Sequence, residues 1–190
     1  MKVYNISNIL TVSRIAVTPL FLYLFFLPSL TARIFVLALI VLSEISDMVD
    51  GYLARKNNMI TDFGKIADPL ADRIFRLTLF LCFVKAELIS VWFFALCFYR
   101  DCMVTSMRIV AMNNKIVFAA QISGKIKAVL QATAIITITL LTIVHFESYP
   151  NYPDHVYQAA NYIMLIVTLF TVWSGVDYFT RLRGKLKDIK

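Results

Sequence analysis

Six stretches of this chain are each apolar for roughly the 20 residues that a helix needs to cross a bilayer. They run at about 9–28, 32–54, 63–85, 88–110, 126–147 and 157–180. Polar breaks separate them: "LPSLTAR", "RKNNMITD", "KAEL", "NNKIVFAAQISGK" and "FESYPNYPDH". Breaks rich in Pro and Asn cannot continue a helix. A soluble core could not hide so much apolar surface. The 190 residues are 59% hydrophobic and 16% charged, with a mean hydropathy of +0.73. Soluble domains are about 45–50% apolar and about 25% charged. The expected fold is therefore all-α, a single membrane-embedded domain over residues 1–190 with six transmembrane helices. No length remains for a separate soluble domain.

The basic residues predict an orientation. Lys2 and Arg14 stand at the start, and Arg55, Lys56 and Lys65 surround the second break. Arg108, Lys115, Lys125 and Lys127 surround the fourth, and Arg181, Arg183, Lys185, Lys187 and Lys190 crowd the end. The other breaks carry few cations. Positive charge accumulates on the cytoplasmic side of membrane proteins, so both termini are expected there. The first apolar run lacks the basic start and small-residue cleavage site of a secretory signal and is read as a retained span. The net charge of +7 sits at membrane boundaries, which points to anionic lipid rather than nucleic acid.

Some polar residues carry no chemistry in this reading. Cys82, Cys97 and Cys102 lie in apolar stretches without metal-site spacing and are expected to be buried small side chains. His145 and His155 flank a polar turn, and neither is assigned a role.

The informative stretch is "SDMVDGYLARKNNMITDFGKIADPLAD", Ser46 to Asp72. Asp47 and Asp50 are three apart and share a helical face; Asp68 and Asp72, four apart, share one on the next helix. A short loop joins the two helices, so they are expected to pack as antiparallel neighbours with the two pairs meeting near the cytoplasmic boundary. Four carboxylates in one place repel and are costly to bury without a cation. One or two hard divalent ions with oxygen ligands, Mg²⁺ or Mn²⁺, resolve this. Such ions complete their shells with water and phosphate oxygens, so a phosphate-bearing substrate is expected. Gly51, Ala54 and Gly64 either leave room for that substrate or allow close helix packing. Arg55 either anchors the helix end or grips a diphosphate.

In full the pattern reads Asp47-x2-Asp50-Gly51-x2-Ala54-Arg55-x8-Gly64-x3-Asp68-x3-Asp72. It resembles the complete signature of the CDP-alcohol phosphatidyltransferases. "NISNILTVSRI" is similar to that family's lead-in, here Asn8, Leu10, Thr11 and Arg14. "YRDCMVTSMRIVA" and "AAQISGKIKAVLQ" look like later segments of the members that take glycerol 3-phosphate. The likeness covers roughly residues 5 to 135. Arg73, where many such members have Lys, and Ala128, where they more often have Thr, depart from it.

The resemblance implies a six-helix integral membrane enzyme, usually a homodimer. It implies that Asp47, Asp50, Asp68 and Asp72 hold a pair of Mg²⁺ or Mn²⁺ ions, with Asp72 also the general base. Asn8, Thr11, Gly51, Ala54, Arg55, Thr61 and Gly64 would line the site for the donor, CDP-diacylglycerol. Thr61 also suits the N-cap of the third helix. Arg108, Lys125 and Lys127 would bind the acceptor phosphate of glycerol 3-phosphate, or else serve as membrane-boundary anchors. The reaction would be phosphatidyl transfer with release of CMP, in phospholipid synthesis. It would take place at the cytoplasmic face of a bacterial-type inner membrane. Cardiolipin synthesis and other alcohol acceptors are alternatives within the family. A cation or proton transporter with intramembrane carboxylates is the alternative from another class. Arg100 and Asp101, charged within an apolar run, are expected to pair inside the bundle. Glu44 is placed to support the metal shell, and Asp177 has no evident partner.

Overall fold

The computed structural model describes the backbone of residues 6–56, 62–113 and 122–187, and side chains of 16–46, 70–108, 111 and 122–184 within them. Among the described residues the fold is all-helical, without strands. The helices are α1 (Ile6–Phe25), α2 (Leu30–Lys56), α3 (Asp62–Lys85), α4 (Val91–Asn113), α5 (Ile122–Val144) and α6 (Asp154–Lys187). A 3₁₀ turn, Phe146–Ser148, lies between the last two. The six expected segments are these six helices. Helix α6, at 34 residues, runs beyond the expected 180 and carries Arg181 and Arg183 on its last turns. Helices α5 and α6 contain stretches, Ile122–Val144 and Asp154–Gly184, long and apolar enough to cross a membrane.

Local chemistry sets the ends. Ser29 follows Pro28, and its Oγ accepts a hydrogen bond from the Ala32 amide, capping α2 (3.4 Å). Helix α3 closes in a Schellman turn: the Leu88 amide donates to the Phe83 carbonyl (2.9 Å) and the Glu87 amide to that of Val84 (3.0 Å). Glu87 takes the left-handed conformation this turn requires, φ 57°. Asn161 of α6 holds the loop that follows. Its Nδ2 donates to the Leu88 carbonyl and its Oδ1 accepts from the Ser90 amide, both at 3.1 Å.

Helix α1 packs chiefly against α3 and also against α2; α4 packs on α6, and α5 on α6 and α2. Among the described residues α2 and α3 are not the close-packed pair that their short connection suggested. Helices α1 and α5 each contact both. One apolar core, including Phe21, Phe25, Phe75, Phe83, Ile138 and Met164, fills the bundle towards the α3–α4 loop. Phe21 meets Phe75 edge-on, with ring centroids 4.9 Å apart. A smaller cluster of Val104, Ala111, Tyr178 and Leu182 joins α4 to α6 at the other end. Polar side chains lie between the two.

Arg33, near the start of α2, is fully buried at 0% exposure. Its guanidinium stacks on Phe25 (4.4 Å) and Tyr149 (4.7 Å), and Nη1 donates to the Tyr152 hydroxyl (2.9 Å). Among the described residues its Nε and Nη2 have no hydrogen-bond partner. Aromatic faces attract a guanidinium through the ring quadrupole. Cys82 and Cys97 are buried as expected, whereas Cys102 is exposed on α4. The outward face of α6 shows Tyr162, Ile166, Leu169, Trp173 and Val176 at alternating spacings of four and three. That is the stripe a helix presents to an apolar surrounding.

Candidate active site

Helices α2 and α3 carry the acidic signature. Asp47, Asp50, Gly51, Ala54, Arg55, Gly64 and Asp68 lie on these two helices, and Asn8 and Thr11 on α1; the side chains of all nine lie outside the described residues. Thr61 lies outside them altogether. Asp72 is half-buried on α3 and engages a partner.

One turn deeper on the same helices, Arg76 of α3 reaches across to Glu44 of α2. Its Nε donates to Oε1 (3.2 Å) and its Nη2 to Oε2 (3.0 Å). Glu44 is three residues before Asp47, and Arg76 four after Asp72, so each shares a helical face with its aspartate. Glu44 thus has a cation partner in this structure, where a metal-supporting role had been expected from its position. A two-pronged guanidinium–carboxylate pair fixes orientation as well as distance.

Beside this pair is a layer of buried charge. Asp101 of α4 accepts two bonds from the Lys127 ammonium of α5, at 2.6 and 2.7 Å. It also accepts one from Arg100 Nη1 at 2.9 Å. Arg100 Nη2 donates to Ser174 of α6 (2.8 Å). The stem of Arg100 runs over Gly175, where an added Cβ would meet its Cγ at 2.9 Å. Arg73 of α3 donates to the Thr105 hydroxyl, and that hydroxyl donates to the Asp101 carbonyl (2.6 Å). The layer sets the cations Arg73, Arg76, Arg100 and Lys127 against the carboxylates of Glu44 and Asp101. Charges leave water only when paired and hydrogen-bonded, and Asp101 supplies that pairing for two cations at once.

Of the three residues expected to bind an acceptor phosphate, Lys127 is buried in this network, while Arg108 and Lys125 are exposed. The pairing of Arg100 with Asp101 appears as expected, with Lys127 as a further member that spacing alone did not indicate. Asp177, which had no evident partner, accepts bonds from Ser123 (2.9 Å) and Arg181 (2.7 Å). Arg181 lies four residues on, a spacing that could have been read from the sequence. Among the described residues no three His, Cys, Asp or Glu side chains form a metal-holding group.

The chain belongs to the CDP-alcohol phosphatidyltransferase family, whose description its sequence matches over residues 4–173. It is a phosphatidyltransferase. Its relatives are similar along almost their whole length. A Bacillus subtilis protein named CDP-diacylglycerol–glycerol-3-phosphate 3-phosphatidyltransferase is 32% identical, covering 94% of this chain and 95% of its own. A Rickettsia bellii protein of the same name is 31% identical over 92% and 93%. A Mycobacterium tuberculosis protein named probable phosphatidylglycerophosphate synthase is 31% identical over 99% and 85%.

Proposed function

We propose that this enzyme transfers the phosphatidyl group of CDP-diacylglycerol to glycerol 3-phosphate, forming phosphatidylglycerophosphate and CMP. The observation that carries the reading is the complete acidic signature in a chain similar, end to end, to relatives named for that reaction. Their names specify both donor and acceptor.

In this reading an acceptor hydroxyl attacks the lipid-bearing phosphorus, and the phosphorus–oxygen bond to CMP breaks. Asp72 takes the hydroxyl proton. Arg55 donates charge-assisted hydrogen bonds to the diphosphate. Asn8, Thr11, Gly51, Ala54, Thr61 and Gly64 line the donor pocket. Arg108 and Lys125 hold the acceptor phosphate. Lys127 contributes from the wall of the site, oriented by Asp101. Asp47, Asp50, Asp68 and Asp72 provide an all-oxygen donor set that suits two hard cations, Mg²⁺ or Mn²⁺. Such ions supply charge neutralisation for the diphosphate and the leaving CMP.

The proposed setting is a bacterial-type inner membrane crossed by all six helices. Both termini and the site face the cytoplasm, and the enzyme is a homodimer. Among the described residues the shortest α-helix, α1, spans 20 residues, about 30 Å at 1.5 Å per residue, which matches the hydrocarbon thickness.

The test is CMP release from CDP-diacylglycerol by the purified chain, with and without chelator. Glycerol 3-phosphate, phosphatidylglycerol, inositol phosphate and serine are compared as acceptors. Chelator-sensitive release with glycerol 3-phosphate alone is expected. Release with a different acceptor would reject the acceptor assignment. Metal-independent release would reject the assignment of the aspartates.

A further inference from the structure

The two histidines, which spacing along the chain left without a role, meet at the far end of the bundle. His145 follows α5 directly, and His155 is the second residue of α6. His145 is about 27 Å along the helix from Lys127 at 1.5 Å per residue, so this place is remote from the charge layer. The two Nε2 atoms are 3.1 Å apart. The rings meet edge-on, with centroids 5.0 Å apart and planes inclined by 68°. His155 is exposed and His145 partly so.

The hydrogen bonding defines a tautomer. Nδ1 of His145 lies 3.2 Å from the Leu141 carbonyl. A carbonyl only accepts, so Nδ1 carries the proton, and in the neutral ring Nε2 presents a lone pair. A backbone carbonyl on the far nitrogen is the usual way a metal-binding imidazole is oriented. Two nitrogens bound at about 2.0–2.1 Å stand roughly 3.3 Å apart in a tetrahedral shell and roughly 2.9 Å apart at a right angle. The observed 3.1 Å falls between these values.

We propose that His145 and His155 form a two-imidazole site for a borderline transition-metal ion such as Zn²⁺, Ni²⁺ or Cu²⁺. Imidazole nitrogen suits these ions, whereas carboxylate oxygen suits Mg²⁺ and Mn²⁺, so the site differs in chemistry from the aspartate set. Without the ion, His155 Nε2–H donates to the His145 lone pair. On binding, that proton moves through solvent to His155 Nδ1, and both Nε2 atoms ligate as neutral imidazoles. Because no third His, Cys, Asp or Glu joins the pair among the described residues, water completes the shell. The ion would clip the end of α5 to the start of α6 across the turn that joins them.

The test uses the full chain in detergent, without a histidine tag and with Mg²⁺ in excess so that the carboxylates are filled. Bound Zn²⁺ and Ni²⁺ are measured by equilibrium dialysis, and the thermal midpoint by light scattering. The expected result is one additional ion per chain and a raised midpoint. His145→Ala and His155→Ala should each weaken binding by about 100-fold, the upper end for losing even an outer partner of a metal ligand. Mg²⁺-dependent CMP release should be unchanged in both variants. Equal binding by the double variant would overturn the site. So would a wild-type chain that takes up no additional ion, a result that would reduce the contact to a hydrogen bond between rings. The dialysis is read without substrate, so it stands or falls separately from the proposed reaction.

Discussion

Arg76 and Glu44 form a two-pronged ion pair between α3 and α2, one turn from Asp72 and Asp47 on their own helices. The pair is a strut that fixes the distance and register of the two helices bearing the signature. Removing one partner leaves a charge in a mostly covered place, with side-chain exposures of 14% and 21%. Glu44→Ala is expected to cost about 2 kcal/mol, below the 3–5 kcal/mol of a fully buried pair. It should also raise the Mg²⁺ concentration needed for half-maximal activity. The double variant Glu44→Arg/Arg76→Glu should recover part of the stability. Thermal unfolding and Mg²⁺ titrations of the wild type, Glu44→Arg, Arg76→Glu and the swap read both effects, and additive losses in the double variant would show that the pair does not couple.

The Asp101 network predicts an asymmetry. Asp101 serves both Lys127 and Arg100, so Asp101→Asn strips two buried cations of their carboxylate. Lys127→Met removes one charge and leaves Asp101 paired with Arg100. The first is expected to cost about 3–5 kcal/mol and the second clearly less. Denaturation of both variants in the same detergent decides the order.

Asp72→Asn separates chemistry from folding. Asparagine keeps the shape of the side chain but loses its capacity as a base. CMP release is expected to fall by at least about 100-fold, within the range of lost general-base catalysis, with the thermal midpoint little changed. Normal turnover in this variant would remove Asp72 from its assigned role.

Glu87 offers a stabilising change. A residue with a Cβ held at φ 57° sits in a conformation that costs about 1–2 kcal/mol outside glycine. Glycine is the usual occupant of this position in a Schellman turn. Glu87→Gly is expected to gain about 1 kcal/mol after the entropy cost of glycine, seen as a higher thermal midpoint with unchanged activity.

The helices were legible because apolar length and punctuation are local properties. Ser29 after Pro28, and the Pro-rich run from Tyr149 to Pro153, mark ends without reference to the rest of the fold. The acidic signature was legible for a similar reason, since spacings of three and four define a face on any helix. Contacts that depend on which helices adjoin were not. Nothing in the spacing tells that α1 and α5 flank α2 and α3, so a short loop suggested direct packing. Lys127 and Asp101 are 26 residues apart, and their meeting depends on how α4 and α5 lie together. Glu44 and Arg76 stand in separate apolar runs, and their union requires the register between α2 and α3. The histidines meet only because the turn between α5 and α6 brings two helix ends side by side.

The caged Arg33 has a further consequence. It is held by two aromatic faces and one hydroxyl, with no carboxylate among the described residues. Burial pushes the Tyr152 phenol up, so its partner stays uncharged. A contact of this kind contains no acid to protonate and is buried beyond the reach of screening ions. The Arg33 cage should therefore keep its own shape through changes of acidity and salinity. The layer of Glu44, Arg76, Asp101 and Lys127, which does hold carboxylates, should respond to acidity. In the proposed orientation the cage lies towards the exterior and the carboxylate-bearing layer towards the cell interior.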